Sequence, residues 1–225
     1  MYVQHAAAIW REFPQLRAGV VVAEGITPDA DVDGPVAALH DAARARLAAG
    51  PEGEFPEIQA WRRAFARMGL KPTQYRCAAE SLLRRFRKEG TLPRIHPLID
   101  LCNAVSLAYA VPVAAFDLAA VAGFLEVRHA TGEESYLTFA GQVEHPEAGE
   151  VIFVDAAGQA HARRWCHRQS GHSAVRGSTG AVVLVAEAMH GDRADVERLA
   201  DAVGGVWRTA PRTATLDAAA PRADF

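Results

Sequence analysis

Cysteine is scarce in this chain, long apolar runs are missing, and none of the widely shared catalytic loops occurs. Cys77, Cys102 and Cys166 are the only 3 cysteines among 225 residues. They are odd in number and widely spaced, which excludes a disulfide framework. No run of about 18 apolar residues is present, so a membrane span is not expected. The opening Met1-Tyr2-Val3-Gln4-His5 lacks the basic and apolar regions of a secretory leader. These absences predict a reduced, cytoplasmic protein with no membrane partner. The Walker loop, the G-x-G-x-x-G turn, the G-x-S-x-G elbow and the H-E-x-x-H helix are also absent. The sequence therefore predicts no cofactor, and function must be sought in its odd, polar-rich segments.

What is present is the balance of a soluble globular chain, 50% hydrophobic and 23% charged. The net charge is −3, but it is unevenly spread. Between Trp61 and Asp100, ten basic residues face only Glu80, Glu89 and Asp100, so that stretch carries +7 and the remainder −10. A basic surface on an acidic protein is an electrostatic footprint for phosphates. Arg62, Arg63, Arg84, Arg85, Arg87 and Lys88 are its candidate contacts, the alternative being plain solvated helix faces.

Apolar spacing and Pro/Gly punctuation predict helices over Ala6–Phe13, Pro35–Ala49, from Pro56 to Gly69, Tyr75–Lys88, Pro97–Tyr109 and Asp192–Val203. Strands are expected at Ala18–Ala23, Leu125–Arg128, Tyr136–Phe139, Val151–Val154 and Ala181–Val185. The fold class is α/β (α+β), with a helix-rich first half and a strand-rich second half. One domain over residues 1–205 is expected, followed by a disordered tail over 206–225. Oligomeric state is left open.

Three segments draw attention. His161, Cys166, His167 and His172 suggest zinc, but their spacing fits no finger and the neighbouring arginines oppose a cation, so no metal is expected. On a strand, Arg164, Cys166 and Arg168 would share one face, opposite Arg163, Trp165 and His167. Arg76, placed in a first helical turn, would oppose the helix dipole, which hints at a functional use. Asp100, Asn103 and Ser106 recur every third residue on an apolar helix and must face water, a partner or a pocket.

The stretches Asn103–Leu107, Pro112–Asp117, Leu125–Ala130 and Gly132-Glu133 together resemble the editing domain of the phenylalanyl-tRNA synthetase beta chain, the B3/B4-type domain. The resemblance runs from about Trp61 to Met189. Free-standing relatives of that domain are similar also around Lys71–Arg76 and Arg163–Ser170. The resemblance implies an α/β domain with mixed sheets, a pocket for the aminoacyl end of tRNA, and hydrolysis of mischarged aminoacyl-tRNA. It further implies that Asn103 lines the pocket, that Cys102 replaces a threonine, and that Glu187 lies near a glutamate recognising a tyrosine hydroxyl. Ala114 stands where the synthetase has a pocket histidine. Arg164, Gln169 and Ser170 are candidate positioners of water or substrate, and Tyr75, Arg76 and Cys166 candidate substrate contacts. The rival expectations are a non-catalytic RNA-binding module and a small-molecule hydrolase or amino-acid-binding protein that reuses the pocket.

Overall fold

The central strand β10 (Ala181–Ala188) is buried along nearly its whole length, as its unbroken run Val182-Val183-Leu184-Val185 requires. The computed structural model of the chain describes residues 1–191 and 196–225. β10 lies antiparallel between β2 (Arg17–Glu24) and β3 (Val113–Asp117), and β11 (Arg212–Leu216) adds outside β2, giving a four-stranded sheet. A six-stranded sheet runs β12 (Arg222–Asp224), β1 (Tyr2–His5), β4 (Phe124–His129), β7 (Val151–Val154), β8 (Ala160–Arg163), β9 (Arg168–Gln169). Within it β1 and β4 are parallel and the other pairs antiparallel. A small hairpin joins β5 (Tyr136–Leu137) to β6 (Val143–Glu144). The fold is thus a mixed α/β domain with several sheets.

The two faces of β10 serve two cores, following the period of two along a strand. Val182, Leu184, Ala186 and Ala188 pack with α5 (Pro97–Tyr109) and α6 (Val196–Trp207). Val183 and Val185 pack toward the six-stranded sheet and toward α1 (Ala7–Glu12), α3 (Pro56–Arg67) and α4 (Ala78–Glu89). Glu187 follows on this second face, a carboxylate set among aromatic side chains. The remaining helix, α2 (Asp33–Ala49), lies against α5.

Helix ends follow their local chemistry. Pro56 and Pro97 occupy first-turn positions of α3 and α5, where a missing N–H costs nothing. His96 caps α5 by accepting from the Leu98 amide at 3.1 Å. Gly90 closes α4 at φ 75°, a conformation that L side chains disfavour. α4 starts at Ala78 with Cys77 as its cap, not at Tyr75. Arg76 therefore lies before the helix, and the dipole argument for it lapses.

Other expectations need correction. Residues 206–225 are not a disordered tail: their alternating small and β-branched residues complete both sheet edges as β11 and β12. The segment after Arg163 is no continuous strand but a tight turn between β8 and β9. Of the expected helix Asp192–Val203, residues 192–195 lie outside the described residues. Among the described residues no helix is long and apolar enough to cross a membrane, and no cluster of three or more His, Cys, Asp or Glu side chains suits a metal.

Candidate functional site

A pocket of about 420 Å³, its open mouth included, lies where β10, the start of β3 and the β8–β9 turn converge. Phe153, Ala162 and Val185 form an apolar wall, and Ala114 leaves room where a larger side chain would intrude. The polar groups are Glu187, His167, Arg168 and Gln169.

The turn that shapes this pocket is strained. Arg164 and Trp165 hold φ values of 47° and 58°, a left-handed pair without glycine that costs on the order of 1–3 kcal/mol per residue. It persists because the Arg164 N–H donates to Glu150 Oε1 at 2.9 Å and the Trp165 N–H to the Val151 carbonyl at 2.7 Å. Glu150 is anchored in turn by the buried Arg163, through two bonds of 3.0 Å. The result is that Trp165 folds inward, edge-on to Trp61 at 5.3 Å and to Phe13 at 5.0 Å.

From there the Trp165 indole N–H donates to Glu187 Oε1 at 2.8 Å, and His5 Nε2 lies 2.7 Å from the same oxygen. Among the described residues, both of these contacts fall on Oε1 and none on Oε2 of Glu187. The side chain is 2% exposed and lines the pocket, so Oε2 is the oxygen available to a bound group.

His167 supplies the second titratable group. Its Nδ1 is 2.9 Å from the Arg76 carbonyl and 3.4 Å from the Arg76 amide. One nitrogen cannot serve both, and the shorter contact places the proton on Nδ1, leaving a lone pair on Nε2. Tyr75 holds the ring edge-on, with centroids 5.4 Å apart. Burial lowers the His167 pKa, the Arg76 carbonyl opposes that shift, and Arg164, Arg168 and Arg76 add to it. The ring is therefore a neutral imidazole at neutral pH. Burial, then Cys77 and Glu187, push the Cys166 thiol well above its ordinary value, which disfavours the thiolate form.

Of the residues expected from sequence, the pocket gathers Ala114, Cys166, Gln169 and Glu187. Gln169 is largely committed, its Nε2 donating to the Ala115 carbonyl at 2.5 Å. Arg76 contributes its carbonyl, while its guanidinium donates to Thr73 and lies 3.5 Å from Glu80. Arg164 and Tyr75 line a separate shallow pocket beside Glu147 and Glu150, the guanidinium 4.9 Å above the Tyr75 ring. Ser170 is buried, bonding the Leu137 carbonyl at 2.8 Å and the His172 amide at 3.1 Å.

Asn103 lies elsewhere. It faces a small cleft with Val36, His40, Leu92 and Asp100, because the polar stripe of α5 turns away from the sheets. Cys102 points into the second core, where burial raises its thiol to about 12. The basic footprint is also narrower than the charge count implies. Arg62 pairs with Glu80 at 2.7 Å, Arg84 and Arg87 with the buried Glu52 at 3.3 and 3.1 Å, and Arg85 with Glu89 at 2.9 Å. Arg63 and Lys88 are exposed, and among the described residues neither has a carboxylate partner.

Sequence reading overlooked His5 and the indole of Trp165, and weighed His167 only as a metal ligand. Nothing local marks His5, which meets Glu187 across 182 positions.

The sequence matches the family model of the B3/4 domain over residues 60–200. Among solved structures it is similar to an N-terminal fragment of the phenylalanyl-tRNA synthetase beta-subunit from Pyrococcus horikoshii, at 8% identity and a TM-score of 0.48. That similarity covers 94% of this chain and 49% of the other, so the chain spans about half of that fragment's length. No curated protein matches the sequence. The family match takes in Ala78, β3, the strained turn and β10, which together line the pocket; His5 lies outside it. The chain belongs to the B3/4 domain family.

Proposed function

We propose that this protein acts in trans on aminoacyl-tRNA, hydrolysing the ester between a wrongly attached amino acid and the terminal ribose. The observation that carries the reading is the placement of a neutral His167 imidazole and the Glu187 carboxylate in one small, mainly apolar pocket. The amino-acid side chain fits against Phe153, Val185 and Ala114, and Glu187 Oε2 faces the α-ammonium. His167 Nε2 takes a proton from water as the water oxygen bonds to the ester carbonyl carbon. Collapse of the tetrahedral intermediate breaks the bond to the ribose oxygen, which leaves with the proton returned by His167. General-base help of this kind contributes roughly 10²–10⁴-fold. The ester is already activated, so positioning supplies much of the rest. Arg63 and Lys88 are candidate cations to meet RNA phosphates.

The test is release of amino acid from a panel of mischarged tRNAs by the purified chain, with His167→Ala and Glu187→Gln alongside. Release above the spontaneous rate, abolished by both changes, supports the reading. Undiminished release by His167→Ala removes its role as base. Salt-dependent tRNA binding without release favours a binding module.

A further inference from the structure

The turn between β8 and β9 sends neighbouring side chains to two different pockets. Trp165 and His167 line the one that holds Glu187. Arg164 lines the other, with Tyr75, Glu147 and Glu150. This second pocket measures about 650 Å³ with its open mouth, within the roughly 300–1,000 Å³ of small-molecule sites. Tyr75 joins the two, its ring edge-on to His167 with centroids 5.4 Å apart. The His167 amide also closes the turn onto the Arg164 carbonyl at 3.2 Å. A ligand whose reacting bond lies at His167 therefore reaches the second pocket with its adjoining part.

What that pocket offers is a stacking plane beside an acceptor. The Arg164 guanidinium lies 4.9 Å above the centre of the Tyr75 ring. Both side chains are only half-buried and line the open pocket. Among the described residues the guanidinium makes no hydrogen bond or ion pair, so the ring is its seat. Arginine planes and aromatic rings are the surfaces on which unpaired bases stack. Met68 and Leu70 supply an apolar margin.

The two carboxylates differ. Glu150 is committed, accepting from Arg163 and from the Arg164 amide. Glu147 is exposed, and among the described residues its carboxylate has no partner, so it can accept from a ligand. Two carboxylates beside one arginine disfavour a phosphate here. A flat, uncharged ring with an amino group suits the plane, the acceptor and the charge together. Adenine, the terminal base of tRNA, is such a ring.

We infer that the Arg164–Tyr75 pocket seats the terminal adenine of tRNA, its face on the Arg164 guanidinium and its amino group toward Glu147. The choice of tRNA as ligand rests on the ester-hydrolysis reading above, and the test lets the two fail separately.

The test is calorimetric titration of the full chain with the trinucleotide CCA and with the same strand ending in an abasic ribose. Both strands carry the same phosphates, so the counterion contribution cancels. The strand with adenine is expected to bind at least about fivefold more tightly. Arg164→Lys keeps the charge and loses the plane, and should bring the adenine strand to the abasic level. Glu147→Ala should narrow the preference for terminal adenine over terminal uracil, which carries no amino group. Equal binding or no binding of the two strands would overturn the assignment, as would a difference that survives Arg164→Lys or an adenine preference untouched by Glu147→Ala. Amino-acid release from mischarged tRNA is read separately. An Arg164-dependent adenine preference without release discards hydrolysis and keeps the seat; release with equal binding of the two strands does the reverse.

Discussion

On α5, Asp100 accepts from the Ile95 amide at 2.9 Å and pairs with Arg94 at 3.0 Å, closing the turn that starts its own helix. On β10, Glu187 meets Trp165 from the strained turn and His5 from the first strand. Both are acidic residues set into apolar elements, and sequence alone invites the same reading of each. The difference lies in the reach of the partners. Asp100 finds its partners within a few residues of itself, and its stripe faces α2 at Asn103. The Glu187 group is assembled from three distant parts of the chain, and among the described residues one carboxylate oxygen has no donor. Polar spacing along a helix reports local closure, whereas convergence of remote segments on one buried carboxylate is what makes a site.

The sharpest way to break this contrast is to alter each region and read initial rates on a mischarged tRNA. Glu187→Gln is expected to lower kcat/KM by at least about 100-fold, since it exchanges the charge facing the substrate while keeping the shape. Asn103→Ala should stay within about threefold, as expected of a surface change away from special features. Comparable losses from both would return the α5 stripe to the site.

A smaller effect belongs to two neutral histidines. His161 is fully buried, and burial lowers its pKa to about 4 from 6.5, against an opposing pull from Asp155. The unfolded chain therefore takes up this proton first as the pH falls. The stabilisation is complete above pH 6.5 and is lost between 6.5 and about 4, up to about 3 kcal/mol by linkage. Urea unfolding across that window checks it. His161→Gln should flatten the acid slope, and His167→Ala should reduce it as well, because burial lowers the pKa of both rings.

The smallest expected effect is on α5 itself. Among the described residues the buried Ser106 Oγ has no partner, so Ser106→Ala should be neutral or stabilising by up to about 1 kcal/mol in thermal unfolding. A clear loss would mean that the hydroxyl has a role that its surroundings do not reveal.

Much of the fold was legible. Pro97 and the apolar period gave α5 its observed bounds, and the run Val182–Val185 marked the central strand because burial on both faces demands such composition. The edge strands β11 and β12 were not legible, because Thr, Ala and Pro there acquire order only by pairing with β2 and β1. Within the site, Glu187 could be placed through the family resemblance, and Gln169 and Ala114 with it. His167 escaped because its neighbours Arg164 and Trp165 adopt left-handed angles, which reverses the face that alternation along a strand assigns. The resemblance set Asn103 on the pocket, whereas helical spacing left its direction open; the side chain faces the cleft beside α2.

The contact between His5 and Glu187 also bears on how the molecule is made. During synthesis His5 leaves the ribosome early and must wait for β10, the strand that carries its partner, 182 positions later. Neither the first sheet nor the helical layer alone can complete the pocket. The Glu187 carboxylate has both of its buried partners only when the strand carrying His5 has docked against the rest, so the finished pocket is itself a readout of completed folding.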